Sequence, residues 1–209
     1  MSKPLFIVFE GIDGCGKSTQ LQYLCEHLQK RGRKVTATAE PTDSTTGKML
    51  RAALSGQNPR TAAEMAALFT LDRIHHNVAK NGIAATLAAG NDVVSDRYYY
   101  SSLAYQGSLT DYEWVRRMNV DCPEIRKPDL CIFLDISPAV ALARIGKRGE
   151  AKEIYEKEET LTLFRTTFLK VFASLSDNIN IINAEGTPTE VAARVAAAVE
   201  PLLSKNKGE

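Results

Sequence analysis

The sequence predicts an α/β fold, a five-stranded parallel sheet flanked by helices, and three observations predict it. Five short apolar runs are spread along the chain, helix-period segments with their own start and stop signals lie between them, and a glycine-rich loop follows the first run directly. Strands that alternate with helices build βαβ units, and these give a parallel sheet covered on both faces. Leu5–Phe9 (LFIVF) is the first strand. The helix beyond the glycine loop is read from Leu21, Leu24, Cys25 and Leu28 at i, i+3, i+4 and i+7, with Gly32 as its stop. Val35–Ala39 is the second strand, and Thr61 with Glu64 fits a capping box that starts the next helix. Asp92–Ser95 is the third strand, followed by a second capping box at Thr110 and Glu113. After the fourth strand, Leu130–Leu134, Ser137-Pro138 puts Pro at a first helical position, where its missing N–H costs nothing. The fifth strand, Ile179–Ile182, precedes Thr187-Pro188 and Glu190, which combine both signals. No repeat, low-complexity tract or linker interrupts the pattern, so one domain over residues 1–209 is expected.

Composition agrees with a globular chain. Of 209 residues, 44% are hydrophobic and 24% charged, too apolar and too balanced for a disordered protein. The 26 basic and 25 acidic side chains leave a net charge of +1, which excludes bulk attraction to nucleic acid or to an anionic membrane. Any anion must therefore be caught by a local cluster, and the expectation is that cations gather in one cleft while acidic residues are spread elsewhere. Leu5–Phe9 is too short for a signal-peptide core, and no stretch approaches the roughly 18–20 apolar residues of a membrane span. Four cysteines without C-x-x-C spacing and only three histidines give no structural zinc pattern. Free thiols suit a reducing compartment, so a cytoplasmic location is expected.

The loop after the first strand reads Gly11-Ile12-Asp13-Gly14-Cys15-Gly16-Lys17-Ser18-Thr19, the pattern G-x-x-x-x-G-K-[ST]. Glycines let the backbone wrap so that its N–H groups converge on phosphate oxygens, and the following helix adds its positive end. Lys17 would reach the β- and γ-phosphates, and the Ser18 hydroxyl would hold Mg²⁺. These nine residues are candidate ATP contacts. Cys15 reads either as a thiol activated by the helix terminus or as a small apolar filler, and free cysteine is more often the second.

A second group follows the third strand. Ligands bind beyond the carboxyl ends of parallel strands, so Asp96 and Arg97 stand where chemistry is expected, one able to hold Mg²⁺ and the other a phosphate. Upstream, Phe69 and Arg73 are i, i+4 on the helix from Thr61. They either hold one ligand together or divide, with Phe69 packed inward and Asp72–Arg73 on a solvated face.

FEGIDGCGKSTQ, EPT after the second strand, LFTLDR on the helix from Thr61, SDRYYYSSLAYQG and a late basic stretch together resemble the thymidylate kinases, from Phe9 to beyond Arg148. The resemblance implies a P-loop, nucleoside monophosphate kinase-like three-layer fold and a reaction in dTTP biosynthesis, ATP and dTMP giving ADP and dTDP with Mg²⁺. It implies that Phe69 stacks on thymine, Arg73 bonds the base edge, Arg97 binds the acceptor phosphate and Tyr105 packs against the deoxyribose. Ser101, Ser102 and Gln106 fall where relatives contact the base or its surroundings, and Asp13 would contact the acceptor's sugar or orient its phosphate. A homodimer packed through helices is usual in the family.

Arg144, Lys147, Arg148 and Lys152 form a glycine-flanked basic cluster after the fourth strand. Nucleoside monophosphate kinases keep a mobile lid there, and arginines in it neutralise charge on the transferring group. The lid is expected at about 144–158. Some relatives carry a basic residue in the loop after the Asp. This chain has Gly14, which resembles the bacterial-type arrangement with the charge in the lid, Arg148 first and Arg144 on the ATP side. Some relatives also place an arginine just after the Glu-Pro, where this chain reads Thr42-Asp43-Ser44. Lys17, Arg97, Arg148 and Asp13 are the expected catalytic group. The rival readings are another P-loop nucleoside monophosphate kinase, a deoxynucleoside kinase with Glu40 as base, and a non-catalytic nucleotide-binding module. Deoxynucleoside kinases typically show Glu-Arg-Ser where this chain has Asp96-Arg97-Tyr98, and no guanine-reading N-K-x-D is present.

Overall fold

A computed structural model describes residues 3–146 and 157–205. Five strands, β1 (Phe6–Glu10), β2 (Val35–Ala39), β3 (Asp92–Asp96), β4 (Leu130–Asp135) and β5 (Ile179–Asn183), form one parallel sheet in the order β2-β3-β1-β4-β5. Each expected strand is present, with its ends shifted by no more than a residue. Nine helices are found among the described residues: α1 (Lys17–Lys30), α2 (Thr45–Leu54), α3 (Ala62–Val78), α4 (Ile83–Ala88), α5 (Tyr99–Leu109), α6 (Tyr112–Val120), α7 (Pro138–Gly146), α8 (Glu158–Ser174) and α9 (Pro188–Lys205).

The order reverses at β1. From it the chain crosses to β2 on one side, returns to β3, and then moves to β4 on the other side, so the loop after β1 opens at a switch point of the sheet. Register pairs Phe9 with both Asp96 and Ile132, which brings the carboxyl ends of β1, β3 and β4 side by side. Every residue of β1 is buried, as is β4 up to Leu134, whereas the edge strands β2 and β5 are largely half-buried or exposed. On the α8 side, Phe164, Phe168 and Phe172 make one buried stripe at i, i+4 and i+8, with Phe133 5.2 Å from Phe168 and 5.0 Å from Phe172.

Local signals explain most helix ends. Thr61–Glu64 forms a complete capping box. Thr187 and Glu190 exchange the same pair of bonds, at 2.8 and 3.3 Å. Gly32 (φ +76°) ends α1, its N–H donating to Gln29 O while Arg33 N donates to Leu28 O, the bonds of a Schellman motif. The expected box at Thr110–Glu113 is a correction. Thr110 ends α5, and the cap of α6 is Asp111, which accepts from Trp114 N at 2.6 Å, because one residue later the carboxylate reaches the orphan amide and Glu113 turns to Arg116.

Candidate active site

The loop after β1 is clamped from below. Gly11, Gly14 and Gly16 adopt φ of +148°, +81° and +100°, and a Cβ on Gly14 would lie 2.4 Å from the Ala141 carbonyl oxygen on α7. One on Gly11 would meet Cys15 Sγ at 2.6 Å and Leu134 O at 2.9 Å. Glycine here is a packing requirement as well as a conformational one. Within the loop Lys17 Nζ donates to Gly11 O (3.1 Å) and Ile12 O (3.3 Å) and lies 3.8 Å from the Asp13 carboxylate. Ser18 Oγ donates to Asp96 Oδ2 at 3.1 Å, joining the two residues expected to share a cation. Cys15 is buried, and burial pushes its thiol up from the ordinary range, so it reads as the apolar filler.

A cleft of about 400 Å³ opens over this loop, lined by residues of the loop, the β2 and β3 ends, and α2, α3 and α5. Arg97 stands at its centre in a left-handed backbone conformation, φ +69°, rare for a residue with a Cβ and worth about 1–3 kcal/mol of strain. Its Nη1 donates to Ser101 Oγ (3.0 Å) and Gly11 O (3.3 Å), its Nη2 pairs with Asp13, and its guanidinium lies 5.5 Å from the Tyr105 ring centroid. Tyr105 is buried, with Phe164 at 4.0 Å on its ring.

The opposite wall carries Pro41, Leu54 and Phe69. Phe69 is half-buried against the small core of Leu50, Ala53 and Met65, so it packs and faces the cleft at once. Asp72 and Arg73 are not on a solvated face. Each is 1% exposed. Asp72 accepts from Thr42 N (2.7 Å), Thr42 Oγ1 (2.6 Å) and Ser44 Oγ (2.6 Å), fixing the loop that leads into α2. Arg73 donates from Nε to Glu40 Oε2 (2.9 Å), with Nη2 2.7 Å from the same oxygen, and its Nη1 protons go to Ser102 Oγ (3.1 Å) and Asn119 Oδ1. Nε and Nη1 are thus engaged within the protein, and Nη2 stands beside Glu40. Asn119 is held the right way round because its amide N donates to Val115 O at 2.8 Å.

Gly14, Gly16, Asp13, Lys17, Ser18, Phe69, Arg73, Asp96, Arg97, Ser101, Tyr105 and Gln106 all line the cleft. Gly11, Ile12 and Cys15 lie beneath it, Ser102 reaches it through Arg73, and Thr19 sits on the exposed side of α1. Arg144 packs on the far side of the loop, donating to Cys15 O (3.3 Å) and Ala184 O (3.2 Å). Lys147, Arg148 and Lys152 lie outside the described residues. The expectation that acidic residues sit elsewhere is corrected: Asp13, Glu40 and Asp96 line the same cleft as Lys17, Arg51, Arg73 and Arg97. A guanidinium drawn out of water requires a counter-charge, which Asp13 supplies to Arg97 and Glu40 to Arg73.

Arg51, Asn119 and Glu10 are not among the expected site residues, and Glu40 is expected only as the base of the deoxynucleoside kinase reading. Arg51 lines the cleft from α2 and donates to Pro41 O (3.1 Å) and Thr42 O (2.6 Å); an arginine was sought next to Pro41, whereas the cap at Ser44 folds α2 back to deliver one later. Glu40 and Asn119 carry no spacing signal, since their pairing with Arg73 is tertiary. Glu10, buried and closing an apolar strand, was visible as a charge in the wrong place.

The family model described as thymidylate kinase matches residues 9–195. A thymidylate kinase of Akkermansia muciniphila is 41% identical over 199 residues, 94% of this chain and 92% of that protein. Probable thymidylate kinases of Pyrococcus horikoshii and Thermococcus kodakarensis are each 37% identical, covering 93% and 96% of this chain and 95% and 100% of their own lengths. With the loop, the Asp96-Arg97 turn and the Phe69–Arg73 wall assembled round one cleft, and with similarity running through all of them, the chain belongs to the thymidylate kinase family.

Proposed function

We propose that the protein transfers the γ-phosphoryl group of ATP to dTMP, giving ADP and dTDP, within dTTP biosynthesis. The observation that carries this is the single cleft in which a triphosphate-binding loop faces Arg97 on one side and the Phe69–Arg73 wall on the other. ATP lies along the loop with its phosphates on the backbone N–H groups and Lys17. The acceptor enters from the α3 side, its base against Phe69, one carbonyl oxygen on Arg73 Nη2, its sugar against Tyr105 and its phosphate on Arg97, with Arg51 beside it. Ser101 and Gln106 complete that wall, and Ser102 acts on it through Arg73.

The acceptor phosphate is already close to doubly ionised at neutral pH, so no strong base is needed. Alignment of two anions and neutralisation of the charge between them supply the acceleration. Asp13 holds Arg97 until the acceptor arrives, then orients the acceptor's phosphate or sugar. The hydroxyl of Ser18 and the carboxylate of Asp96 are hard oxygen donors 3.1 Å apart, a set that fits Mg²⁺, which takes few protein ligands and completes its shell with water and phosphate. Ser18 and Asp96 would hold that ion, which would supply positive charge against the ATP phosphates.

The remaining charge is assigned to the lid at about 144–158, Arg148 foremost, in the bacterial-type arrangement. The Ala141 carbonyl against Gly14 supports this, because no basic side chain fits at that position of the loop. One domain over residues 1–209 carries both substrates in this proposal. A homodimer is proposed on the exposed apolar residues Leu71 and Val78 of α3, 54% and 51% exposed; a monomer mass by light scattering would remove it. Among the described residues no helix is long and apolar enough to cross a membrane. A cytoplasmic location and an absence of nucleic-acid partners are part of the proposal, supported by the free thiols and the net charge of +1.

The deoxynucleoside kinase reading needs Glu40 free to take a proton from a hydroxyl. Both of its oxygens are engaged, Oε2 by Arg73 and Oε1 by His76 Nδ1 at 3.0 Å. Steady-state rates with ATP, Mg²⁺ and dTMP, dUMP, thymidine, AMP or GMP test the assignment. The highest kcat/KM is expected for dTMP, and preference for thymidine would overturn it.

A further inference from the structure

Glu10 has no place in the mechanism above, yet it is a fully buried carboxyl at the end of the central strand, next to Phe9, whose carbonyl accepts from Arg97 N. Its Oε1 accepts from Tyr98 N (2.9 Å) and Ser101 N (3.1 Å), and its Oε2 accepts from the Ser101 hydroxyl at 2.7 Å. Tyr98 is the N-cap residue of α5 and has no side-chain capping bond; Ser101 N is the third amide of that helix. Glu10 therefore takes the acceptor role of a capping residue from another strand, with its negative charge at the positive helix end.

The same carboxylate controls which way the Ser101 hydroxyl points. A hydroxyl has one proton and two lone pairs. With its proton on Glu10, Ser101 Oγ can only accept from Arg97, whose Nη1 donates to it at 3.0 Å. Both Nη1 protons are then used, on Ser101 and on Gly11 O, and Nη2 is left facing Asp13. The left-handed turn at Arg97 is held between one backbone bond, Arg97 N to Phe9 O (2.9 Å), and one side-chain bond, Tyr98 N to Glu10 Oε1. We propose that Glu10 is a positioning residue for the acceptor phosphate, orienting the Ser101 hydroxyl and the Arg97 turn so that the guanidinium presents its Nη2 edge to the cleft. This rests on the assignment of Arg97 to the acceptor phosphate.

The groups that face Glu10 are Arg97, Lys17 on α1, Tyr105 on α5 and Cys131 on β4. Burial outweighs the Arg97 charge, the Ser101 and Tyr98 bonds and Lys17, and pushes the carboxyl up to about 7. Protonation would give Oε2 a hydrogen to donate, reversing the Ser101 hydroxyl against Arg97.

Glu10→Gln keeps the shape and removes that acceptor. It is expected to raise KM for dTMP about tenfold while KM for ATP changes less than twofold. The acid limb of kcat/KM for dTMP near pH 7 should vanish in the variant, leaving the limb of dTMP's own phosphate. Ser101→Ala removes the relay and leaves the Glu10 carboxylate in place, short of the donor on its Oε2; it should raise KM for dTMP comparably, and the double variant should lose little more than either single one. Arg97→Ala is the control. If Arg97→Ala lowers kcat/KM for dTMP while Glu10→Gln and Ser101→Ala match wild type in KM and pH profile, the positioning role is overturned and the Arg97 assignment stands. If Arg97→Ala itself leaves dTMP kinetics unchanged, both fall.

Discussion

Replacing Gly14 by alanine tests how the phosphate loop is held. The residue sits at φ +81°, and a Cβ there would lie 2.4 Å from the Ala141 carbonyl oxygen and 3.0 Å from Ile145 Cγ1. The left-handed backbone costs about 1–2 kcal/mol for a residue with a Cβ. The contact adds about 1–3 kcal/mol, as overpacking does, because the oxygen belongs to helix backbone and cannot rotate away. Gly14→Ala should therefore destabilise by about 2–5 kcal/mol. Gly32 supplies the control: at φ +76° its added Cβ meets nothing within 4 Å. Gly32→Ala should cost only the backbone share, about 1–2 kcal/mol. Urea unfolding of the three proteins gives the difference directly, since the slope should not change. Gly14→Ala should also raise KM for ATP, because α7 carries Arg144 against the loop, while Gly32→Ala should not. Equal destabilisation by both substitutions would refute the clamp between the loop and α7.

Other consequences follow from particular contacts. Asn119→Ala leaves a buried Arg73 proton without its acceptor, so stability should fall by about 1–3 kcal/mol and KM for dTMP should rise while KM for ATP holds; a matching rise in both would contradict the base-side role of Arg73. Arg148→Ala should lower kcat far more than it weakens dTMP binding, and an unchanged kcat moves the lid charge to another residue. Because the folded-state Glu10 carboxyl titrates near 7 and an ordinary one near 4.5, the native state binds the extra proton between those values. Wild-type stability relative to Glu10→Gln should thus decline as pH rises from 5 to 8, by on the order of 3 kcal/mol at most. A flat difference across that range would show that Glu10 ionises as freely folded as unfolded.

The parts legible in the sequence are those that local chemistry determines. Apolar runs gave all five strands, and caps at Thr61 and Thr187 and the stop at Gly32 marked helix ends because each is satisfied within a few residues. The phosphate loop was legible for the same reason, and Gly14 carried more than its pattern implied, since its contact with α7 is tertiary. Phe69 presented a choice that the structure dissolves, as one ring both packs and lines the cleft. What the pattern could not give is partnership across the fold. Glu40 and Asn119 meet Arg73 from β2's end and from α6, and the carboxylates of the cleft follow from burying cations rather than from any spacing. The aromatic stripe of α8 was present in sequence at i, i+4 and i+8 and went unread.

The cleft joins ATP to a nucleoside monophosphate rather than to a nucleoside. One competition measures this: γ-labelled ATP and Mg²⁺ with equimolar dTMP and thymidine, followed by separation of the products. The label is expected on the β-phosphate of dTDP, with little on dTMP. Label entering dTMP from thymidine, with dTDP unlabelled, would contradict it.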